Sequence, residues 1–421
     1  MNRIRKSATV VATASLVLAG CAGGDNHSPS ADEPVTLTFA SWQWLEPGRG
    51  DALWEAMTAY SDSHENVTLK QQAVPRADYE STMSTQIGSG EGPDLLIVPP
   101  AFLYQAGDAG ILEPLDGILR ADSEAALMSN NERGVYGGEQ LGYTWEAVNW
   151  ALIYNRTLLE EANVDVPTTP EELLTAAEEI TAATGNPGFA GRHLTGELQP
   201  WWNDFASWPC GFGGGWASGD QLSIDSPENI KAVQLLADLH ASGAMPIGDD
   251  ASTFRNRFAN GEIGMMIDNA SVAFTVTGED SVLSAADTGA APLPFPTDNS
   301  SQIVNFIGVN ANSEHVEVAK DFITWLFTDE GQKLAADSVF PSTVGTDTQP
   351  SKQLIEENPW IETYRGQAES SECSPLVPGF ELETPEISTV VMTHLESVLT
   401  RGVPAEEALT RAQEEAELKV G

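Results

Sequence analysis

The order of apolar and polar patterns over residues 35–98 constrains the fold more than any other feature of the chain. Residues 35–39 alternate apolar and polar side chains, as a half-buried strand does, and residues 53–60 carry apolar side chains at helical spacing. Residues 67–69 indicate a second strand, and residues 94–98 form a short apolar run typical of a strand buried on both faces. This β-α-β-α-β order predicts an α/β layer architecture.

Two helix starts are marked by their local sequence. Thr169 suits an N-cap, Pro170 the first helical position, and Glu172 the third position of a capping box. Ser226 and Pro227 repeat the first two of these signals. Both segments are therefore predicted to begin helices at these residues.

Further elements follow from periodicity and proline placement. Residues 262–268 indicate a strand, and residues 316–326 form an amphipathic helix. The prolines within residues 292–296 cannot lie in a central strand, so the chain is expected to change direction there. Residues 385–418 read as helical with an interruption near 402–404.

The N-terminus carries an export signal. A basic stretch at residues 3–6 precedes an apolar run at residues 8–18 and the sequence Leu-Ala-Gly-Cys ending at Cys21. The apolar run is shorter than the ~20 residues that span a bilayer. We expect a signal peptide at residues 1–20 and a flexible tether at residues 21–34; an ordinary signal peptide followed by a chance cysteine is the alternative.

Size, charge and cysteines narrow the class of protein further. About 390 residues follow the tether, enough for two domains. The formal net charge of −42 excludes nucleic acid as a partner. The acidic surface keeps the chain soluble, reflects a salty habitat or attracts a cationic ligand such as a polyamine. Cys210 and Cys373 either form a disulfide or remain two buried thiols.

Motifs spread along the chain point to one family. They are Gly90–Val98 followed by Ala109–Asp116, then Leu152–Leu159, Phe258–Ile267, Ala319–Gly331 and Pro404–Leu409. In this order and spacing they resemble the extracellular solute-binding proteins of ABC importers, specifically the maltose-binding-like carbohydrate group (family 1). The N-terminal ending at Cys21 is similar to the lipobox of bacterial lipoproteins, in which that cysteine receives lipid.

The resemblance implies a type II periplasmic-binding-protein-like fold. Two lobes, each a mostly parallel sheet flanked by helices, would be joined by a hinge and close on ligand. The family's chain path places lobe 1 at 35–145 and 295–338, and lobe 2 at 148–290 and 342–421. It further implies an exported monomer anchored on the outer side of the cell membrane through Cys21, a membrane permease as partner, a small carbohydrate as ligand, and no cofactor.

Aromatic rings suit the C–H faces of a sugar, and amide and carboxylate side chains suit its hydroxyls. Loop position and family resemblance give the aromatic candidates Trp42, Trp44, Trp145, Trp201, Trp202 and Trp216. The polar candidates are Glu146, Asn149, Asp204, Asp268, Asn269 and Asn305. The competing interpretation is core packing for the tryptophans and caps or turns for the polar residues. Gln199–Asp204 in particular is expected to be a rim segment, because it makes a poor helix interior.

Two stretches depart from the maltose-binding pattern. Residues 98–101 read Val-Pro-Pro-Ala where maltose-binding members present an aromatic residue and an acid, and Ser388 and Thr389 stand near the place of their paired aromatics. A mono- or oligosaccharide other than maltodextrin is therefore expected.

Two rival functions remain open from the sequence. A lipid-anchored glycosidase has no supporting motif, although carboxylates are plentiful. The same fold binding a polyamine is the stronger rival, because carboxylates and aromatic rings are both present. The six histidines show no metal-ligand spacing, so no metal site is predicted.

Overall fold

A computed structural model describes residues 34–46 and 49–421. The predicted signal peptide, Cys21 and the tether up to residue 33 lie outside the described residues. The strands are β1 Val35–Ser41, β2 Val67–Ala73, β3 Leu95–Val98, β4 Val135–Tyr136, β5 Glu139–Gln140, β6 Tyr143–Asn155, β7 Phe189–Ala190, β8 Ala217–Ser218, β9 Gln221–Leu222, β10 Met265–Asn269, β11 Thr288–Ala291 and β12 Gln302–Val309.

Helices surround these strands. In the first half of the chain they are α1 Arg49–Ser63, α2 Tyr79–Gly88, α3 Pro100–Asp108, α4 Ala121–Ala125, α5 Arg156–Ala162, α6 Pro170–Thr184, α7 Leu198–Phe205 and α8 Ser207–Gly211. They continue as α9 Pro227–Ala241, α10 Ala251–Ala259, α11 Ala270–Val276, α12 Val316–Leu326, α13 Asp329–Ser338, α14 Lys352–Glu357, α15 Ile361–Ser370, α16 Thr384–Arg401 and α17 Ala405–Val420. Short 3-10 helices occupy Gln43–Leu45, Arg76–Asp78, Ser129–Gly134 and Thr195–Glu197.

The strand order explains the two lobes. The main sheet runs β2-β1-β3-β12-β6-β10-β7, and β11 also pairs with β6. β1 is parallel to β2 and β3, as the β-α-β-α-β order predicts. β6 pairs with β12 up to Asn149 and with β10 and β11 from Trp150 onward. One strand therefore belongs to both halves, and we call the halves on either side of this crossing the first and second lobes.

Each lobe has its own apolar core. In the first lobe, Phe39 and Trp145 pack with Phe322 on one face of the sheet, and Val98, Phe102 and Phe306 pack on the other. β3 is fully buried along its length, which confirms the strand predicted from its apolar run. In the second lobe the largest cluster forms around β6, β10 and helices α6, α7, α9, α16 and α17.

The predicted helix starts are confirmed. The Thr169 hydroxyl accepts a hydrogen bond from the Glu172 main-chain N–H at 3.2 Å, with Pro170 at the first helical position. The Glu172 carboxylate reaches the Thr168 main-chain N–H, one residue before the cap, at 2.8 Å. Ser226 caps α9 in the same way as Thr169 caps α6. The helical tail is also confirmed, with its break between α16 and α17.

The irregular conformation expected at Gln199–Asp204 is wrong, because these residues lie within helix α7. Pro200 falls in the first turn of that helix, where its missing N–H has no intrahelical partner to lose. Trp42 and Trp44, expected in a loop, lie at a 3-10 turn, Gln43–Leu45, and α1 begins soon after it at Arg49.

A disulfide joins Cys210 of α8 to Cys373, with a Cα–Cα distance of 6.3 Å and a sequence separation of 163 residues. Cys373 also pairs with Ser301, directly before β12, through an isolated main-chain β-bridge. The cross-link therefore ties the second-lobe helix α8 to the chain beside the start of β12. Among the described residues, no helix combines the length and apolar character that a membrane span requires.

Candidate functional site: the cleft between the lobes

The two lobes and strand β12 enclose a cavity of about 280 Å³, which we call the main chamber. The first lobe lines it with Arg76, Glu80, Pro99, Pro100 and Ala101. The second lobe lines it with Gln199, Asn203, Pro375, Leu376, Thr384 and Pro385. Ile303 and Asn305 of β12 complete the wall. A ligand in this chamber contacts both lobes at once, which is the requirement for ligand-driven closure.

A second cavity of about 150 Å³, the side chamber, adjoins the first at Pro100 and Leu376. Its other lining residues are Tyr104, Arg133, Gln302, Val304, Phe306, Ser374, Pro378 and Glu381. Successive residues of β12 thus line different chambers, since side chains alternate across a strand.

Arg76 lines the main chamber and lies over the ring of Trp42. The Arg76 guanidinium lies 4.8 Å from the centre of the Trp42 ring and 3.1 Å from the Glu80 carboxylate. Trp42 is half-buried and packs edge-on against Tyr79 at 5.0 Å. The predicted ligand residue Trp42 therefore stands directly behind a wall of the chamber.

A set of polar side chains lies beneath the chamber at the crossing strand, and we call Gln43, Arg49, Glu146 and Asn305 the hinge cluster. Glu146 Oε1 accepts hydrogen bonds from Gln43 Nε2 at 2.7 Å and Asn305 Nδ2 at 3.0 Å. Arg49 Nη2 lies 2.5 Å from Glu146 Oε2. Burial opposes the charge on Arg49, but Glu146 and Glu46 outweigh it and raise the pKa of the guanidinium.

The hinge cluster contains two predicted site residues, Glu146 and Asn305, and two more, Trp145 and Asn149, lie beside it on β6. Asn305 both lines the chamber and bonds to Glu146. Trp145 is buried and donates its indole N–H to Gln43 Oε1 at 2.7 Å. Asn149, three residues after Glu146 on β6, accepts a hydrogen bond from Gln302 Nε2 at 2.8 Å. Asn305 is the member of this group that a ligand in the main chamber can contact directly.

A second polar group lies inside the second lobe, and we call Arg192, Asp204, Arg255 and Asp268 the inner network. Arg192 Nε donates to Asp204 at 2.7 Å, and Arg255 holds Asp268 through two hydrogen bonds of 2.7 and 2.8 Å. Trp150 donates its indole N–H to Asp204 at 3.0 Å. Burial and the neighbouring Asp268 raise the pKa of Asp204 to about 7, against the opposing effect of the two arginines.

The inner network has little room for a ligand. Arg192, Trp201 and Asp204 line a cavity of about 20 Å³, which is about the space that one water molecule needs. Asn269 caps helix α11 by accepting from the Val272 N–H at 3.2 Å. The structure thus places three predicted polar candidates, Asp204, Asp268 and Asn269, in structural contacts away from the main chamber.

Most of the predicted tryptophans are packed in the cores and do not line a chamber. Trp44 donates to the Phe39 carbonyl at 3.0 Å in the first lobe. Trp201, Trp202 and Trp216 belong to the second-lobe core, where Trp202 and Trp216 stack at 5.0 Å. Their aromatic faces are covered by neighbouring side chains, which differs from the cleft exposure expected of them.

One of these tryptophans still supports the chamber from behind. Trp202 donates its indole N–H to the carbonyl of Pro375 at 2.7 Å, and Pro375 lines the main chamber. The apolar face of α7 thereby fixes the position of a chamber wall.

Several chamber residues escaped the sequence analysis. Gln199 and Asn203 are four residues apart on α7 and line the main chamber. That helical spacing was a usable signal once the segment is read as an amphipathic helix. Residues 99–101, where the chain departs from the maltose-binding pattern, also line the chamber.

Comparison with known proteins identifies relatives along most of the chain. The model of the family described as bacterial extracellular solute-binding protein matches residues 44–333. The diacetylchitobiose binding protein DasA of Streptomyces coelicolor is 22% identical over 429 residues, covering 97% of this chain and 96% of that protein. The sn-glycerol-3-phosphate-binding periplasmic protein UgpB of Brucella abortus is 24% identical over 428 residues, covering 90% of this chain and 94% of that protein.

Solved structures show the same fold. The cyclic alpha-maltosyl-1,6-maltose binding protein of Arthrobacter globiformis superposes with a TM-score of 0.79 at 22% identity, over 91% of this chain and 98% of that chain. At this identity the likeness establishes the two-lobe architecture, and the identity of the ligand has to come from the chambers.

Proposed function

The chain belongs to the bacterial extracellular solute-binding proteins, and from that membership we propose that it captures a mono- or oligosaccharide between its lobes for an ABC importer. The observation that carries the proposal is the main chamber, whose walls come from both lobes and from β12. A solute held there stabilises the arrangement of the lobes that a membrane permease would recognise. We further propose the lobe boundaries given by the family's chain path, a monomeric protein, and attachment to the outer face of the membrane through Cys21.

The chemistry of the main chamber favours a neutral polyhydroxyl ligand. Gln199, Asn203, Asn305 and Thr384 offer hydrogen-bond donors and acceptors, as sugar hydroxyls require. The prolines, Ile303 and Leu376 offer apolar surface for sugar C–H groups. Arg76 and Glu80 neutralise each other in an ion pair. A polyamine needs unpaired carboxylates, and Glu80, the carboxylate that lines the main chamber, is already paired, which favours the sugar there.

The relatives are binding proteins by name, two of them for sugars. Their names support the carbohydrate class for this chain and weigh against the glycosidase alternative. They leave the particular sugar open, in keeping with the departure of residues 99–101 from the maltose-binding pattern.

The proposal is tested by titrating the full chain with a panel of mono- and disaccharides plus spermidine, followed by tryptophan fluorescence and thermal melting. A ligand at 100 times its Kd adds about 2.7 kcal/mol of stability. We expect one saccharide class to produce this shift. A response to spermidine alone would replace the sugar by a polyamine, and release of hydrolysis product would indicate the glycosidase.

A pair of substitutions locates the site. Asn203→Ala removes one chamber amide and is expected to weaken sugar binding about 3- to 10-fold, the value of one hydrogen bond. Gln234→Ala, on the exposed face of α9 outside the chamber, is the matched control and is expected to leave the affinity unchanged. Equal affinities of the two variants would place the ligand elsewhere.

A further inference from the structure

Arg133 of the side chamber differs from the other partly buried arginines of the described chain. Those five, Arg49, Arg192, Arg255, Arg257 and Arg365, each lie within 4.0 Å of a carboxylate oxygen. Arg133 instead donates to two main-chain carbonyls, that of Gln302 at 3.2 Å and that of Ser371 at 2.9 Å. Its positive charge therefore has no ion-pair partner among the residues the structure describes.

An unpaired cation in a confined chamber costs free energy unless an anion joins it. Burial lowers the pKa of Arg133, and the neighbouring Tyr104 acts in the opposite direction. A guanidinium carries five N–H groups in a rigid fork, and the two carbonyls use two of them. Three N–H groups remain for a planar anion such as a carboxylate.

Gln302 shares the wall of the side chamber with Arg133. This residue is 1% exposed and lines the side chamber. Its Nε2 donates to Asn149, but its Oε1 is buried without a hydrogen-bond partner within the described chain. Because that oxygen has no open surface, Gln302 belongs to the buried wall of the chamber, and Arg133 is the polar group that a ligand there would meet.

Glu381, the acidic residue that lines the side chamber, bonds to the main chain and not to Arg133. Glu381 accepts a hydrogen bond from the Gly379 main-chain N–H at 3.0 Å. Burial and Glu381 raise the pKa of Tyr104, while Arg133 lowers it, so both charges act on Tyr104. Glu381 does not neutralise Arg133, and its carboxylate remains an acceptor for ligand hydroxyls.

We propose that the side chamber is an acid-recognising subsite in which Arg133 binds the carboxylate of an acidic saccharide, such as a uronic acid, while Glu381 accepts hydrogen bonds from its hydroxyls. This inference rests on the proposed carbohydrate function and adds the chemical class of the sugar. The side chamber joins the main chamber at Pro100 and Leu376, so one saccharide with an acidic unit can extend from one chamber into the other.

The test uses matched neutral and acidic sugars on the full chain. Calorimetric titrations compare glucose with glucuronate, galactose with galacturonate and mannose with mannuronate, as monomers and as 1,4-linked dimers. We expect at least one uronate to bind tenfold or more tightly than its neutral counterpart. Arg133→Gln is expected to abolish that preference, because it weakens binding of the uronate far more than binding of the neutral sugar, and Arg133→Lys is expected to retain part of it.

Two further variants separate recognition from damage to the fold. Glu381→Gln removes a negative charge from the chamber and is expected to tighten uronate binding, the opposite sign to Arg133→Gln. Arg120→Gln, an exposed arginine at the start of α4, is the control for the loss of one positive charge and should match the wild type.

The outcomes are distinguishable. If neutral sugars bind and no uronate binds more tightly, or if the preference survives Arg133→Gln, the acid subsite is overturned while the carbohydrate function stands. If no member of the panel binds, the proposed carbohydrate function is overturned and the acid subsite with it.

Discussion

The hinge cluster and the inner network are built from the same parts but occupy very different surroundings. Each buries a carboxylate against arginine near strand β6, on opposite sides of the point where this strand crosses between the lobes. The hinge cluster reaches a chamber of about 280 Å³ through Asn305, whereas the inner network borders a cavity of about 20 Å³. Buried charge near the hinge therefore does not by itself mark a ligand site; the adjoining space decides.

The largest expected effect breaks the inner network. Asp268→Ala leaves Arg255 buried without the carboxylate that it pairs with. Breaking such a buried pair lowers the free energy of unfolding by about 3–5 kcal/mol. Urea unfolding measures this cost directly. Asp249→Ala, which removes a more exposed partner of Arg257, is the control and should cost about 1 kcal/mol or less. A comparable loss of stability in both variants would contradict the larger cost expected from the burial of Asp268.

The ligand affinity of Asp268→Ala tests the same comparison in a second way. While folded, Asp268→Ala should keep ligand affinity within about twofold of the wild type, because the inner network lies away from the chamber. A clear loss of affinity would return Asp268 to the list of ligand contacts that the sequence predicts.

The next effect is a pH dependence of stability from Asp204. Its pKa is raised from 3.8 to about 7 in the folded state, so between these values the folded chain holds a proton that the unfolded chain has released. Stability from this group is therefore present below about pH 4 and falls as the pH rises toward 7. Asp204→Asn should reduce that slope by up to about 1.4 kcal/mol per pH unit, measured by unfolding at several pH values. An unchanged slope would show that Asp204 is ionised in this range.

A smaller effect is expected at the hinge cluster. Asn305→Ala removes a chamber amide while Gln43 and Arg49 still hold Glu146. Affinity for the sugar should fall about tenfold, or about 1.4 kcal/mol, with a stability loss of about 1 kcal/mol. Calorimetry and urea unfolding together test this contrast with Asp268→Ala. A stability loss without a change in affinity would mean that the two regions play the same structural role.

The smallest effect concerns the support behind the chamber. Trp202→Phe keeps the stacked ring but leaves the Pro375 carbonyl without its indole donor. Stability should fall by about 1 kcal/mol, and affinity by less than threefold because Pro375 keeps its neighbours. Thermal melting and titration measure both. Trp54→Phe, in the first lobe and away from Pro375, is the comparison variant, and an equal effect on affinity there would remove the supporting role of Trp202.

Local signals predicted the elements of the fold well. The β1-α1-β2-α2-β3 order, the Thr169 and Ser226 caps and the interrupted helical tail all depend on neighbouring residues, and each is present. The exception is α7, where Pro200 and two adjacent tryptophans read as irregular although proline is acceptable in a first turn.

The site was harder to predict because it depends on contacts between distant segments. Asn305 meets Glu146 across 159 residues, and Arg133 meets Ser371 across 238. A tryptophan in the sequence carries no sign of which face of its element is covered, so Trp44 and Trp201 could not be separated from Trp42. Gln199, Asn203 and Arg133 become visible as chamber residues only when the two lobes are placed together.

The most direct test of the central claim is a calorimetric titration of the full chain with saccharides, repeated on Asn203→Ala and Asn305→Ala. The two residues come from the second lobe and from β12 and meet at the main chamber. We predict one saccharide per chain, bound more weakly by both variants. Saccharide binding that is equally strong in the wild type and both variants would contradict a binding site in the main chamber.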